Sequence, residues 1–182
     1  MKLLGVAGSL RRDSHNRKLL RAAGALLPPG VQFIEYDGLK LIPPFDEDDE
    51  PDPPLAVVHW REAIEHADAI LFATPEYNSS IPGQLKNAID WASRPFTGAA
   101  LRNKPVAVIG ASTGSFGAVW SQAELRKVLG SAGARVIDRE LPIPSADEAF
   151  DAAGSLKEDD AALELGSVIA ELLDSARRRL AA

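Results

Sequence analysis

The segment at residues 8–16, GSLRRDSHN, carries side chains that can hold an anion. Ser9 and Ser14 supply hydroxyl donors, Arg11 supplies charged N–H groups, and Asn16 offers an amide. The segment leads into LLRAAGALL, which has the apolar spacing of a helix. The first N–H groups of a helix have no partners within it, and the helix dipole favours negative charge there. The segment therefore predicts a phosphate site at a helix start, although Ser14 taken alone is equally typical of an N-cap.

This segment lacks the glycine patterns of the common nucleotide-binding loops. Neither GxGxxG nor GxxxxGK[ST] occurs in it, and it contains no lysine for a β- or γ-phosphate. The ligand we expect is a monophosphate, held by side chains and by the amides of the helix start.

A second segment, TPEYNSSIPG at residues 74–83, can border a flat ligand. Pro75 restricts the backbone, and Tyr77 offers an aromatic face with a hydroxyl group. Glu76 and Asn78 can pair with ring heteroatoms or simply form a turn. The segment predicts a rigid rim beside a planar ring system.

A third segment, ASTGSFG at residues 111–117, follows an apolar strand and combines two glycines with hydroxyl groups. Glycine lets a backbone approach a ligand closely, and it also serves in ordinary turns. This segment by itself does not distinguish a binding loop from a turn.

Alternating strand and helix patterns must position these three segments. Apolar runs predict strands at residues 2–7, 31–36, 69–73, 105–110 and 134–138. Helical spacing predicts helices at residues 16–27, 55–66, 83–92, 118–132 and 157–179. This order predicts an α/β fold, a doubly wound five-stranded parallel sheet flanked by helices on both faces. Ligands of such sheets bind beyond the carboxyl ends of the strands, which is where all three segments begin.

Composition excludes several other classes of protein. At 182 residues the chain predicts one domain, and a net charge of −6 with scattered basic residues argues against nucleic-acid binding. There is no cysteine, which fits the cytoplasm and excludes thiolate chemistry, and the N-terminal apolar run is too short to span a membrane. Neither a GxSxG elbow nor a histidine metal motif is present. A planar, phosphorylated cofactor that itself carries the reaction is the remaining expectation.

These motifs resemble those of the NADPH-dependent FMN reductase family, the flavodoxin-like group that includes quinone, chromate and azo-dye reductases. The matching stretches are GSLRRDSHN, TPEYNSSIPGQLKNAIDWASRP and IGASTGSFGAVWSQAELRKVL. The resemblance implies that the first loop binds the FMN phosphate, that PEYN edges the ring and that the third loop lies beside it. The residues concerned are Ser9, Leu10, Arg11, Ser14, Asn16, Pro75, Glu76, Tyr77, Asn78, Ser112, Thr113, Gly114 and Gly117.

The resemblance also implies an activity and an assembly. We expect hydride to pass from NADPH or NADH through FMN to a small-molecule acceptor, which is a quinone, an azo or nitro compound, a metal oxyanion or free flavin. Homodimers or homotetramers are common in the family, so Trp91, Arg94 and Pro95 are candidate interface residues. Thr113 and Trp120 depart from the commoner family pattern, which leaves the acceptor open. The alternative is a non-enzymatic flavodoxin-like electron carrier, which would dock partners through the acidic stretch 46-DEDDEPD-52.

Overall fold

Six parallel strands form one sheet in the computed structural model, which describes residues 1–181. They are β1 (Lys2–Ala7), β2 (Gln32–Tyr36), β3 (Ala69–Thr74), β4 (Pro105–Ala111), β5 (Arg135–Val136) and β6 (Pro142–Ile143). The order across the sheet is β2-β1-β3-β4-β5, and β6 also pairs with β4. The predicted doubly wound parallel sheet is confirmed. Its central strands β3 and β4 are buried at every position, as their unbroken apolar runs require.

The predicted fifth strand, residues 134–138, is shortened to β5, and the further short strand β6 was not predicted. β5 pairs with the beginning of β4, and β6 pairs with its end. Between them, the carboxylates of Asp138 and Glu140 pair with the guanidinium of Arg126 over 2.9 Å and 2.6 Å.

Five helices cover the two faces of the sheet, with ends within about two residues of the predicted ones. They are α1 (His15–Ala25), α2 (Leu55–His66), α3 (Gly83–Ala92), α4 (Val119–Ser131) and α5 (Asp159–Leu180). The buried apolar side chains of α1 and α5 pack on one face, and those of α2, α3 and α4 pack on the other. Within residues 1–181, none of the helices has the length and apolar character needed to cross a membrane.

Trp91 is buried inside the chain and does not lie at a surface. Its side chain is fully inaccessible, and its indole Nε1–H donates to the carbonyl of Pro43 over 2.9 Å. The ring also meets Phe45 edge to face, with centroids 4.9 Å apart. Trp91 is therefore a core residue, which corrects its place among the candidate interface residues. Arg94 and Pro95, the other two candidates, are partly or fully exposed.

A buried lysine closes the end of α2. Lys104 is only 2% exposed, and its ammonium donates to the carbonyls of Glu65 and Ala67 over 3.2 Å and 2.5 Å. The last carbonyls of a helix lack intrahelical partners, and a cation stabilises them. Burial nevertheless lowers the pKa of Lys104 to about 8, with the nearby charge of Arg179 acting in the same direction.

Candidate functional site

The site lies where the strand order of the sheet reverses. β1 has β2 on one side and β3 on the other, so the loops that follow β1 and β3 diverge at this point. The backbone N–H of Gly8 donates to the carbonyl of Ala73 over 2.8 Å, which holds the two loops together at their roots. Together with the loop that follows β4, they enclose a cleft of about 160 Å³, lined by Ser9, Arg11, His15, Asn16, Pro75, Glu76, Tyr77, Ala111, Ser112 and Thr113.

The cleft brings together most of the residues expected from the sequence. Five of the expected residues do not line it: Leu10, Ser14, Asn78, Gly114 and Gly117. A cavity of about 330 Å³ between α3 and α4 contains no helix start. A cavity of about 700 Å³ lies at the start of α5, where the carboxylates of Glu158 and Asp160 disfavour a phosphate. Small-molecule sites usually exceed about 300 Å³. The cleft can therefore enclose only part of a flavin nucleotide, and the rest would lie open to solvent.

In the first loop, Ser14 is the N-cap of α1. It is buried, and its hydroxyl oxygen accepts from the backbone N–H of Arg17 over 3.3 Å, so the hydroxyl proton remains available. The hydroxyl oxygen of Ser9 accepts from the backbone N–H of Arg11 over 3.4 Å. The guanidinium of Arg11 is exposed and donates to the carbonyl of Asp13 over 2.7 Å. Because a guanidinium has five N–H donors, most of those of Arg11 remain free for an anion.

Asn16 has a different environment from the one expected. Its side-chain amide donates to the carbonyl of Ala111 and accepts from the Ala111 backbone N–H, both over 2.9 Å. The pair joins the start of α1 to the end of β4 in the buried interior. The amide oxygen and one of the two N–H groups of the amide are thus engaged with Ala111, and the backbone N–H in the first turn of α1 is a further donor.

The second loop contains a tight turn at its tip. Tyr77 and Ser80 exchange backbone hydrogen bonds of 3.0 Å and 3.1 Å, and Asn78 and Ser79 between them have φ angles of 53° and 58°. This is the pattern of a type I′ turn, in which both central residues are left-handed. The turn directs Asn78 into solvent, outside the cleft. The rim of the cleft is therefore formed by Pro75, Glu76 and Tyr77, and the Tyr77 side chain is half exposed.

The side chain of Glu76 caps the start of helix α4. One oxygen of its carboxylate accepts from the backbone N–H groups of Trp120 and Ser121, over 3.1 Å and 3.2 Å. The N-cap residue of α4 is Ala118, which has no side-chain acceptor of its own. The buried hydroxyl groups of Thr74 and Ser121, 2.9 Å apart, connect the same two segments. The carboxylate of Glu76 thus holds the rim of the cleft against the start of α4.

The third loop is held by β6 and by the segment that follows it. Ser112 donates its backbone N–H to Ile143 over 3.0 Å and accepts from Ala146 over 3.1 Å, while its hydroxyl accepts from Gly114 over 3.2 Å. Gly117 has a φ of 57°, and a Cβ there would lie 2.6 Å from the backbone nitrogen of Ile143. Gly117 is therefore needed for packing against β6 and does not approach the cleft.

His15 was not expected in the site, and the structure places it in the cleft wall. Its Nδ1 atom is inaccessible to solvent and has no hydrogen-bond partner among residues 1–181. Burial lowers the pKa of His15, and the positive charges of Lys18 and Arg11 act in the same direction, against Asp13 and Asp147. The position of His15 directly after the N-cap is the sequence signal that would have identified it.

The donors around the cleft fit a phosphate. The first turn of α1, the free N–H groups of Arg11 and the hydroxyl group of Ser9 line the cleft. Within residues 1–181 no group of three or more histidine or acidic side chains is arranged to hold a metal ion. The chemistry of the site is that of anion binding beside a partly aromatic rim.

Comparisons with known proteins show the family of the chain. A family model for NADPH-dependent FMN reductases matches residues 1–148. A NAD(P)H-dependent FMN reductase of Pseudomonas aeruginosa is 47% identical over 167 residues, covering 88% of this chain and 87% of that protein. A 2-hydroxy-1,4-benzoquinone reductase of a Burkholderia species is 37% identical over 163 residues, covering 88% of this chain and 87% of that protein.

A solved structure supports the same relationship. The flavoenzyme NAD(P)H:(acceptor) oxidoreductase of Paracoccus denitrificans matches this fold with a TM-score of 0.85 and 35% identity, covering 97% of both chains. Because the family model spans most of the chain and the relatives align over nearly their whole length, this chain belongs to the NADPH-dependent FMN reductase family.

Proposed function

We propose that this chain binds FMN at the cleft between the three loops and transfers reducing equivalents from NADPH or NADH to a small quinone. The observation that carries the proposal is the meeting of phosphate donors at the start of α1 with a rigid, partly aromatic rim on the loop after β3. The family to which the chain belongs is one of FMN-dependent oxidoreductases, which favours an enzyme over an electron carrier.

The first loop would hold the phosphate of FMN. Arg11 can form charge-assisted hydrogen bonds to it, and Ser9 and Ser14 can add neutral ones. Asn16 would contribute its backbone N–H and Leu10 would contribute only backbone, since the Leu10 side chain is exposed outside the cleft. Each of these donors lies at or before the first turn of α1, where the helix dipole favours an anion.

The second and third loops would border the flavin ring. Pro75, Glu76 and Tyr77 form one edge, with Asn78 at the adjoining turn, and backbone N–H groups there can stabilise negative charge that develops on a reduced ring. Beside them, Ser112 and Thr113 of the third loop would contact the ring directly. Gly114 and Gly117 would determine the backbone conformation of this loop.

When bound, FMN would supply the redox chemistry by accepting hydride from NAD(P)H and passing electrons to the acceptor. The side chains of the chain bind and orient, and no side chain in the cleft is assigned as a proton donor. A quinone is the proposed acceptor because the Burkholderia relative is named for 2-hydroxy-1,4-benzoquinone. The narrow cleft also leaves an open face on which a flat acceptor can lie.

The test of the function is a two-step anaerobic titration. NADPH or NADH added to the FMN-loaded protein should bleach the flavin absorbance within seconds, and a benzoquinone added next should restore it. A flavin that stays oxidised with both nucleotides would contradict the proposal and favour the alternative of a non-enzymatic electron carrier.

The test of the phosphate site uses adjacent arginines. Arg11→Ala should weaken FMN binding by about 1.5–3 kcal/mol, the contribution of a hydrogen bond to a charged group, and should affect riboflavin much less. The matched control is Arg12→Ala, because Arg12 is exposed and does not line the cleft. Equal loss of FMN and riboflavin in Arg11→Ala would remove Arg11 from the phosphate site.

Three wider statements belong to the same proposal. Residues 1–182 are proposed to form one FMN-binding domain, since the strands share one sheet. The enzyme is proposed to act in the cytoplasm. It is also proposed to be a homodimer or homotetramer, and light scattering of the purified protein measures this oligomeric state.

A further inference from the structure

Two large aromatic side chains lie exposed next to the cleft. Phe116 is 64% exposed and Trp120 is 49% exposed, and their rings meet edge to face with centroids 4.9 Å apart. The other two tryptophans of the chain, Trp60 and Trp91, are completely buried. A single exposed apolar residue is unremarkable on a protein surface, whereas an exposed aromatic pair beside a ligand cleft indicates a contact surface.

The pair is fixed in position relative to the cleft. The backbone N–H of Trp120 is bonded to the carboxylate of Glu76, which lines the cleft, over 3.1 Å. Phe116 follows Thr113, another lining residue, in the same loop. On the rim formed by the second loop, the Tyr77 ring is also half exposed. The aromatic pair therefore lies beside Glu76 and Thr113, two residues that line the cleft.

Two carboxylates lie close to Trp120. Glu76 accepts from the start of α4, and Glu124, one helical turn after Trp120, accepts a hydrogen bond from the Ser80 hydroxyl over 2.5 Å. Two carboxylates next to an apolar surface disfavour an anionic ligand by like-charge repulsion. They leave aromatic contact as the main source of attraction for an uncharged acceptor.

We propose that Phe116 and Trp120 form the contact surface for the aromatic part of the acceptor, and that they favour fused-ring quinones over unsubstituted benzoquinone. The inference rests on the proposed function and specifies its substrate class. A second ring extends a quinone beyond the cleft, where it can meet the aromatic pair edge to face or offset-stacked. The same surface gives no advantage to metal oxyanions, which are charged and present no ring.

The first test compares acceptors in the FMN-loaded enzyme. Trp120→Ala and Phe116→Ala should each lower kcat/KM for a naphthoquinone by about 2- to 12-fold relative to kcat/KM for ferricyanide, the range expected for one aromatic contact. Trp120→Phe should recover most of the loss. The matched control is Phe96→Ala, because Phe96 is 73% exposed and does not line the cleft.

A second measurement reports binding without turnover. With 5-fluorotryptophan incorporated, ¹⁹F NMR of the oxidised FMN-loaded protein should show a shift of the Trp120 resonance when naphthoquinone is added. The resonances of the buried Trp60 and Trp91 serve as internal references. A Trp120 resonance that does not move at saturating naphthoquinone would overturn the inference.

Two other outcomes would also overturn it. One is a naphthoquinone to ferricyanide ratio that is unchanged in both alanine variants. The other is a smaller particle by light scattering in Trp120→Ala, because that would identify the pair as a contact with a second copy of the chain. Failure of the proposed function gives a different result from failure of this inference. In that case NAD(P)H would not reduce the flavin of the wild-type protein, whichever acceptor is used.

Discussion

Replacing Glu76 should reveal that its carboxylate stabilises the fold independently of any ligand. In the structure one carboxylate oxygen accepts from the backbone N–H groups of Trp120 and Ser121, at the start of a helix whose N-cap is an alanine. Glu76→Ala removes this acceptor, so the backbone N–H groups of Trp120 and Ser121 lose their hydrogen-bond partner. We therefore expect the free energy of unfolding to fall even in the protein free of FMN.

The size of the effect follows from two contributions. Loss of a side-chain cap at a helix N-terminus costs typically about 1 kcal/mol. Loss of a negative charge next to that terminus costs about 0.3–1 kcal/mol more. Glu76→Ala should therefore lose about 1–2 kcal/mol, while Glu76→Gln keeps an oxygen acceptor and should lose only about 0.3–1 kcal/mol. For a chain of this length, 1 kcal/mol corresponds to a fall in Tm of about 2–4 °C.

Urea unfolding of the FMN-free protein, followed by circular dichroism, measures these differences. Glu62→Ala is the matched control, because Glu62 is exposed on α2 and makes no hydrogen bond or ion pair through its side chain within residues 1–181. That control should stay within about 0.5 kcal/mol of wild type. The reasoning is refuted if Glu76→Ala is as stable as the control, or if Glu76→Gln loses as much as Glu76→Ala.

Three other substitutions test features on which the site or the fold depends. Asn16→Ala should lower the unfolding free energy by about 2–4 kcal/mol in urea, because it leaves the buried N–H and C=O of Ala111 without their partner; a loss below about 1 kcal/mol would contradict this. The pKa of Lys104 falls from 10.5 to about 8 on folding, so the unfolded chain binds more protons between these values. The unfolding free energy of wild type should therefore rise with pH across this window relative to Lys104→Met, by up to about 3 kcal/mol, and parallel pH profiles would disprove the shift. Gly117→Ala should destabilise by more than about 1 kcal/mol, since its φ is positive and its new Cβ would meet Ile143; thermal unfolding equal to wild type would show that the backbone can move aside.

Local patterns predicted the parts of this structure that depend on neighbouring residues. The apolar runs of β1, β3 and β4 and the N-cap at Ser14 were readable because each depends on a few adjacent positions. The loops that follow β1, β3 and β4 could be assigned to one edge of the sheet because all parallel strands end on the same side.

Contacts between distant segments could not be predicted in the same way. Asn16 meets Ala111 across 95 positions of sequence, and its amide looked as suitable for a ligand as for a backbone. The partner of Glu76 is the start of a helix more than forty residues later, as the separation of 44 positions between Glu76 and Trp120 shows. No propensity or spacing rule specifies such pairs, because they arise only when the sheet brings the loops together.

The interrupted strand next to β4 has a consequence for how copies of this chain can associate. A sheet edge with a continuous row of free N–H and C=O groups can pair with the same edge of another molecule. Here β5 and β6 contain two residues each, and the charged stretch between them turns away from the ladder. This border therefore offers no long template for a continuous intermolecular sheet. Aggregation by strand addition is therefore disfavoured on this side of the molecule.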